Sequence, residues 1–241
     1  MTKILEVTGL HKSYGSLKVT DDISFKLNAG EALGIIGPNG AGKSTLFNLI
    51  AGNITPDAGK VEFDGLDVTK FNLNERSIKG IGRSFQIPHP FGGMTVFENL
   101  LVGAHFSANL SSTAADKRCV EVLEQTGLID KANVPAGQLT LLERKRLELA
   151  KALSTNPKLL LLDEIAGGLT EHECLELVAL IKELNESGIT IIWIEHIVHA
   201  LMSVVDRLLV IDFGAKLDEG EPAAVMNNPK VQEIYMGISA E

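Results

Sequence analysis

The stretch from Ala32 to Ile50 constrains this chain more than any other. An apolar run, Ala32–Ile36, leads into Gly37, Pro38, Asn39, Gly40, Ala41, Gly42, Lys43 and Ser44, then Thr45 and a helical pattern over Lys43–Ile50. Those eight residues fit G-x-x-x-x-G-K-[ST] between a strand and a helix. Glycines let the backbone wrap closely around phosphate, and the N–H groups at the helix start point inward at the anion. Lys43 adds a cation for the outer phosphates, and the Ser44 hydroxyl is a candidate magnesium ligand. A glycine-rich turn that binds nothing is the bland alternative, and the strand and helix on either side argue against it.

A loop of this kind requires an α/β fold, and the rest of the chain agrees. Leu5–Leu10 and Ile23–Leu27 read as strands. Leu159–Leu162 and Ile189–Ile194 are short apolar runs bounded by turns, as expected of strands buried on both faces. Between them Glu171–Glu186 places Cys174, Leu177, Val178, Ile181 and Leu184 on one helical face, and Ser187-Gly188 ends that helix. The middle differs. Helical patterns at Val96–Phe106, Ala114–Thr126 and Leu142–Ser154, with little strand signal, predict a helical subdomain over residues 87–157. It interrupts a discontinuous core formed by residues 1–86 and 158–241.

Leu159–Leu162 runs into Asp163 and Glu164. A carboxylate at the end of a buried strand can hold magnesium, and the next acid can orient an attacking water; phosphoryl transfer needs both. A strand merely entering a solvated loop would look the same, so the pair gains its force from the phosphate loop. The net charge of −9 argues against a general nucleic-acid binder, which carries a basic footprint. Asn99–Ala115 lacks Asp, Glu, Lys and Arg but is broken by Gly103, His105 and Asn109, and no stretch suits a bilayer span. With no signal-peptide pattern at the start, the expectation is a cytoplasmic protein that meets membranes through partners. Cys119 and Cys174 lie far apart in no ligand spacing and read as reduced thiols.

Taken together, these motifs resemble the ATP-binding cassette family across essentially the whole chain. The resemblance implies a P-loop NTPase (RecA-like) α/β core with an antiparallel β subdomain and an inserted α-helical subdomain. It implies ATP and Mg2+ as ligands, with Ser44, Gln86 and Asp163 around the metal. Tyr14, in Lys-Ser-Tyr-Gly, matches the aromatic that stacks on adenine. Gln86, in Arg-Ser-Phe-Gln, matches the glutamine that links the core to the helical subdomain. His196 matches the switch histidine at the γ-phosphate, and Glu164 the catalytic carboxylate. His199, three residues on, makes a metal pair with His196 conceivable, but no third ligand is evident.

Two segments depart from the family pattern. Its signature, Leu-Ser-Gly-Gly-Gln, caps the ATP held by the other subunit of a dimer; here Leu139, Thr140, Leu141, Leu142 and Glu143 stand in its place. Thr140 can cap the helix, but two leucines replace the glycines that allow close approach, and Glu143 should repel phosphate. In the D-loop, Ala166-Gly167-Gly168-Leu169-Thr170 ends without the usual Asp, and Ile165 replaces the common Pro. Both departures affect what the chain offers a partner's site. One reading is a heterodimer with a second ABC ATPase subunit; the other is a homodimer that tolerates the divergence.

Arg83-Ser84-Phe85-Gln86, the segment Phe91–Gly103, the helix around Arg146–Ala150 and the tail Glu221–Gly237 resemble the branched-chain (hydrophobic) amino acid uptake branch. That branch implies integral-membrane permease subunits on the inner face of the cell membrane and, indirectly, an extracytoplasmic solute-binding protein. The tail is also similar to that of lipopolysaccharide-export ATPases, so a lipid exporter, or a non-transport ABC ATPase, stays open. Pro88, Pro90, Phe91, Met94 and Phe97 are candidates for a groove that docks a permease helix.

Overall fold

The computed structural model describes residues 2–236; Gly237, at the end of the tail segment, lies outside them. Two sheets and a helical layer make up the molecule. In the first sheet β1 (Lys3–Tyr14), β2 (Leu17–Asn28), β4 (Ala58–Phe63) and β5 (Leu66–Asp67) run antiparallel in the order β2-β1-β4-β5. In the second, β3 (Ala32–Ile36), β6 (Ile81–Arg83), β7 (Leu159–Asp163), β8 (Thr190–Ile194) and β9 (Arg207–Asp212) are parallel. β10 (Ala215–Gly220) closes one edge antiparallel, giving the order β10-β9-β3-β8-β7-β6.

The apolar runs of the parallel strands are buried on both faces because each face meets a different layer. Leu159 and Leu161 of β7, with Ile192 and Ile194 of β8, pack into a core shared with the antiparallel sheet and α1 (Lys43–Ala51). Leu160 and Leu162, with Ile191 and Trp193, join the core on the other side. That second core holds α3 (Val96–Phe106), α4 (Ser112–Gln125), α5 (Leu141–Ser154) and α6 (Glu171–Glu186). The two-residue period of a strand thus divides one pentapeptide between two cores. α7 (Val198–Met202) and the neighbouring β9 crowd Gly34 of β3: a Cβ there would lie 2.6 Å from Leu208 of β9 and 2.8 Å from Leu201 of α7.

Helix starts follow local chemistry. Thr95, Thr140 and Thr170 each accept a hydrogen bond from the backbone of a glutamate three residues on, and that glutamate accepts one in return. Asn72 and Glu75 do the same for α2 (Leu73–Lys79). These reciprocal caps satisfy donors that a helix start leaves orphaned. Arg76 of α2 is fully buried and spreads its guanidinium over four carbonyls. Leu49 and Ile50, in the last turn of α1, accept at 2.6 and 2.8 Å; Phe71 and Thr69 accept at 3.0 Å each. Burial pushes this arginine down to about 10.

The strands and helices expected from the sequence all form, with ends shifted by a few residues. β1 and β2 run well past the expected Leu5–Leu10 and Ile23–Leu27, because their polar outer halves pair across the hairpin without an apolar pattern to reveal them. β4, β5, β6, β9, β10, α2, α7 and two short C-terminal helices, α8 (Pro222–Met226) and α9 (Pro229–Met236), lie outside the expected elements. Among the described residues no strand forms between β6 and β7, where only a single bridge joins Thr95 to Pro135. Cys119 and Cys174 are free and buried in α4 and α6, and burial pushes the Cys119 thiol up to about 11. Among the described residues, no helix is long and apolar enough to cross a membrane.

Candidate functional site

The phosphate loop leaves β3 and turns into α1 through Gly42, whose φ of 100° is left-handed. A Cβ there would lie 2.2 Å from the Val19 carbonyl, so only glycine fits. Lys43 is buried, and its ammonium donates to the carbonyls of Gly37 at 2.7 Å and Pro38 at 3.0 Å. Burial lowers its affinity for the proton, and the fields of Glu164 and Asp163 oppose that shift. Ser44 is exposed and Thr45 half-buried on the first turn of α1. Tyr14 stands at the tip of the β1–β2 hairpin, 54% exposed, with the Lys12 ammonium 5.7 Å from its ring centre.

Beyond the ends of β7 and β8, three side chains meet. Gln86 Nε2 donates to Glu164 Oε2 at 2.6 Å, and His196 Nε2 lies 2.7 Å from Glu164 Oε1. Glu164 itself adopts φ +46°, a costly conformation for a residue with a side chain. Its N–H is fixed by the Ile194 carbonyl at 2.9 Å. The left-handed turn breaks the strand and swings the carboxylate toward Gln86 and His196. A carboxylate gripped from both sides, next to a cation and a helix N-terminus, can orient a water for attack on a phosphoryl group.

Asp163 has a different neighbour. Its Oδ2 takes a 2.9 Å ion pair from Arg83, and both side chains are largely buried. Arg83 also donates to Asn48 Oδ1 at 2.7 Å and lies near the rings of Phe47 and Phe85. Hence the strand end, the loop helix and the start of the Gln86 segment are bolted together at one guanidinium. The Ser44 hydroxyl, the Asp163 carboxylate and the Gln86 amide oxygen are hard oxygen donors of the type Mg2+ prefers. Among the described residues no group of three or more His, Cys, Asp and Glu could hold a metal, His196 and His199 included.

The two divergent segments form one edge. Leu139 is buried, Leu141 is 44% exposed, and a Cβ on Gly168 would sit 3.4 Å from Leu141 Cδ2. Ile165 and Ala166 are buried, while Gly167, Gly168 and Thr170 are exposed. Both carboxylate oxygens of Glu143, the acid expected to repel phosphate, are engaged within the chain. One oxygen accepts the Thr140 N–H at 2.8 Å and the other lies 3.2 Å from the Lys131 ammonium. The Thr140 backbone bond, aided by Lys131, holds this carboxyl below its usual range. Its acid is therefore a helix cap, the job that glutamate at the third helical position does best.

The sequence profile of the family described as ABC transporter matches residues 20–167. The chain belongs to the ABC transporter family. BraF, a high-affinity branched-chain amino acid transport ATP-binding protein of Pseudomonas aeruginosa, is 37% identical, covering 97% of this chain and 98% of its own. LptB, the lipopolysaccharide export system ATP-binding protein of Haemophilus influenzae, is 32% identical with 97% of each chain covered. A crystal structure of an ATP-binding cassette of an ABC transporter in its ADP conformation superposes with a TM-score of 0.90 at 34% identity. That match covers 99% of this chain and 100% of the other. The chain is accordingly an ATP-binding subunit of that family, and an ATPase.

Within this ABC cassette, several residues at the site went unnoticed in the sequence. Arg83 and Asn48 brace Asp163, and buried Asn99 accepts the Phe91 N–H at 2.9 Å while donating to the Thr95 carbonyl at 2.9 Å. Polar residues inside helix or strand patterns carry no signal until their partners are known. Of the candidate groove residues, Phe91 is exposed at a depression lined by Leu73, Phe85, Val102 and Lys151. Phe97 is half-buried and packs against the core of the helical layer.

Proposed function

We propose that this ABC ATPase powers import of branched-chain or other small amino acids or amides through separate membrane permeases. The observation that carries the catalytic reading is the convergence of Gln86 and His196 on Glu164 beside the phosphate loop. In this reading Tyr14 stacks on adenine, and residues 37–45 cradle the phosphates with Lys43 as their cation. Ser44, Asp163 and Gln86 would hold Mg2+, which would supply charge neutralisation at the phosphates. Glu164 orients a water whose oxygen bonds to the γ-phosphorus as the bridge to the β-phosphate breaks. The products are ADP and inorganic phosphate, and His196 contacts the γ-phosphate. The core, 1–86 and 158–241, carries the nucleotide, and residues 87–157 transmit its state to the permease through the depression at Phe91.

The same proposal places the chain on the inner face of the cell membrane, with an extracytoplasmic solute-binding protein acting indirectly. It pairs the chain with a second ABC ATPase subunit, because Leu141 and Leu142 occupy the positions where close approach to a neighbour's triphosphate is needed. The similarity to BraF supports the importer. The similarity to LptB favours a lipid-export ATPase as the second reading. Loss of labelled leucine uptake on deletion of the gene, restored by wild type but not by Glu164→Gln, is the expected result. Unchanged uptake of amino acids and amides, with lipid delivery to the cell surface impaired, would replace the importer with the exporter.

A further inference from the structure

Beneath the meeting point at Glu164 lie two buried charges that the mechanism above does not use. Lys145 is 4% exposed in the middle of α5's first half, and Glu195 is 2% exposed directly after β8. A buried charge persists only where its hydrogen bonds and an opposing charge offset the lost hydration. Each of these does so on backbone that leads to the site. The Lys145 ammonium donates to the Gln86 carbonyl at 2.7 Å. Glu195 Oε1 accepts the His196 N–H at 3.0 Å, and its Oε2 accepts the Ala166 N–H at 3.1 Å. The two do not form a direct ion pair among the described residues, yet Glu195 exerts the largest carboxylate field on Lys145, ahead of Glu164 and Glu148. Burial lowers the lysine's proton affinity and these fields oppose it.

The geometry points to Lys145 and Glu195 as positioning residues for hydrolysis: a buried pair of opposite charges that sets the backbone of Gln86, His196 and Ala166 around Glu164. In the dimer proposed above, Lys145 acts on the glutamine from the helix whose start would face the partner. Glu195 ties the histidine to the loop that follows Glu164 and borders the same partner edge. A change at that edge therefore reaches both side chains that grip the catalytic carboxylate. Packing alone would be served as well by Met and Gln, which match the two in size. What those lack is a donor for the Gln86 carbonyl and a second acceptor for the Ala166 and His196 amides, since a glutamine would turn its NH2 toward one of them.

This inference rests on the ATPase reading, which wild-type turnover abolished by Glu164→Gln establishes on its own. With that turnover in hand, Glu195→Gln and Lys145→Met are compared with Lys145→Arg and the double variant in the transporter complex assembled from the full-length chain and the subunits that co-purify with it. We expect each single neutral variant to lower kcat by about tenfold or more, with ATP affinity moved by less than about threefold. Lys145→Arg should keep most of the activity, because it retains a charged donor. The double variant should lose less than the product of the two single losses, since neither charge is left buried without its opposite. Glu195→Gln should also quicken hydrogen exchange at residues 164–168 and 194–198 together. The inference is overturned if kcat stays within about twofold of wild type in both single variants. It is equally overturned if kcat and ATP affinity fall by the same factor. Should Lys145→Met not fold, Glu195→Gln and its exchange pattern decide the matter alone.

Discussion

Around Glu164, side chains from three separate segments of the chain meet at 2.6 and 2.7 Å, whereas at Thr140–Glu143 the polar contacts stay almost wholly within one helix start. The first region is assembled by tertiary structure, from residue types that the resemblance to the family picked out. The second is assembled by local capping, and leucines take the place of its glycines. The difference teaches that a helix start can be well formed as a helix while being poorly shaped as a binding surface. Thr140 and Glu143 serve α5 itself, and the face left over is the exposed Leu141 beside Gly168.

The contrast breaks most directly at Glu164. Glu164→Gln should lower ATP turnover about 100-fold or more while leaving ATP binding in place, measured by phosphate release and by titration with a fluorescent nucleotide. Turnover within a few-fold of wild type would mean that the meeting of Gln86, Glu164 and His196 is not the hydrolytic centre. The next largest effect concerns the other region. In the Glu164→Gln background with Mg-ATP, the chain should stay monomeric by light scattering, and restoring glycine at Leu141 and Leu142 should produce a dimer. An ATP-dependent dimer without that change would show that the leucines close over a neighbour's ATP, and the case for a different partner would collapse.

Smaller effects sharpen the same comparison. Thr140→Ala should cost about 1 kcal/mol and lower Tm by about 2–4 °C in a chain this long, with little change in hydrolysis by the isolated subunit. A large loss of turnover instead would tie the helix start to the chain's own site. The smallest effect is in acid. Glu143 is held below its usual range chiefly by the Thr140 backbone bond, so its contribution to stability is complete above the unfolded value of 4.5. It is lost as pH falls through the lower folded value. Melting temperature between pH 6 and 3 should therefore fall less steeply in Glu143→Gln than in wild type; equal slopes would mean that the charge contributes nothing.

Much of the fold was legible because its strongest signals are local. A buried five-residue strand, an amphipathic helix with one apolar face, and a glycine-rich loop ahead of a helix each carry their instructions in a few neighbouring residues. The outer halves of β1 and β2 and the edge strands β5 and β10 were not legible, since their exposed residues alternate weakly and their pairing is settled by sequence-distant partners. The same division runs through the site. Lys43, Asp163 and Glu164 announce themselves by spacing, and Gln86 and His196 only through the resemblance. Arg83, Lys145 and Glu195 carry no role that the sequence reading could assign. Nothing near them in the chain says that Arg83 meets Asp163, 80 positions away, or that Lys145 reaches back to Gln86.

Arg76 gives the phosphate loop an asymmetry that its own residues do not explain. A short helix has a positive end and a negative end of similar strength, and an anion bound at one also feels the other, about 13 Å away over nine residues. Here the carbonyls of Leu49 and Ile50 at the far end are met by a guanidinium sealed from solvent. Solvent cannot screen that charge well, so the opposing pole of α1 is cancelled where cancellation is most effective. The potential at Lys43, where the proposed function seats the triphosphate, is thus set partly from behind, by a side chain on a neighbouring helix.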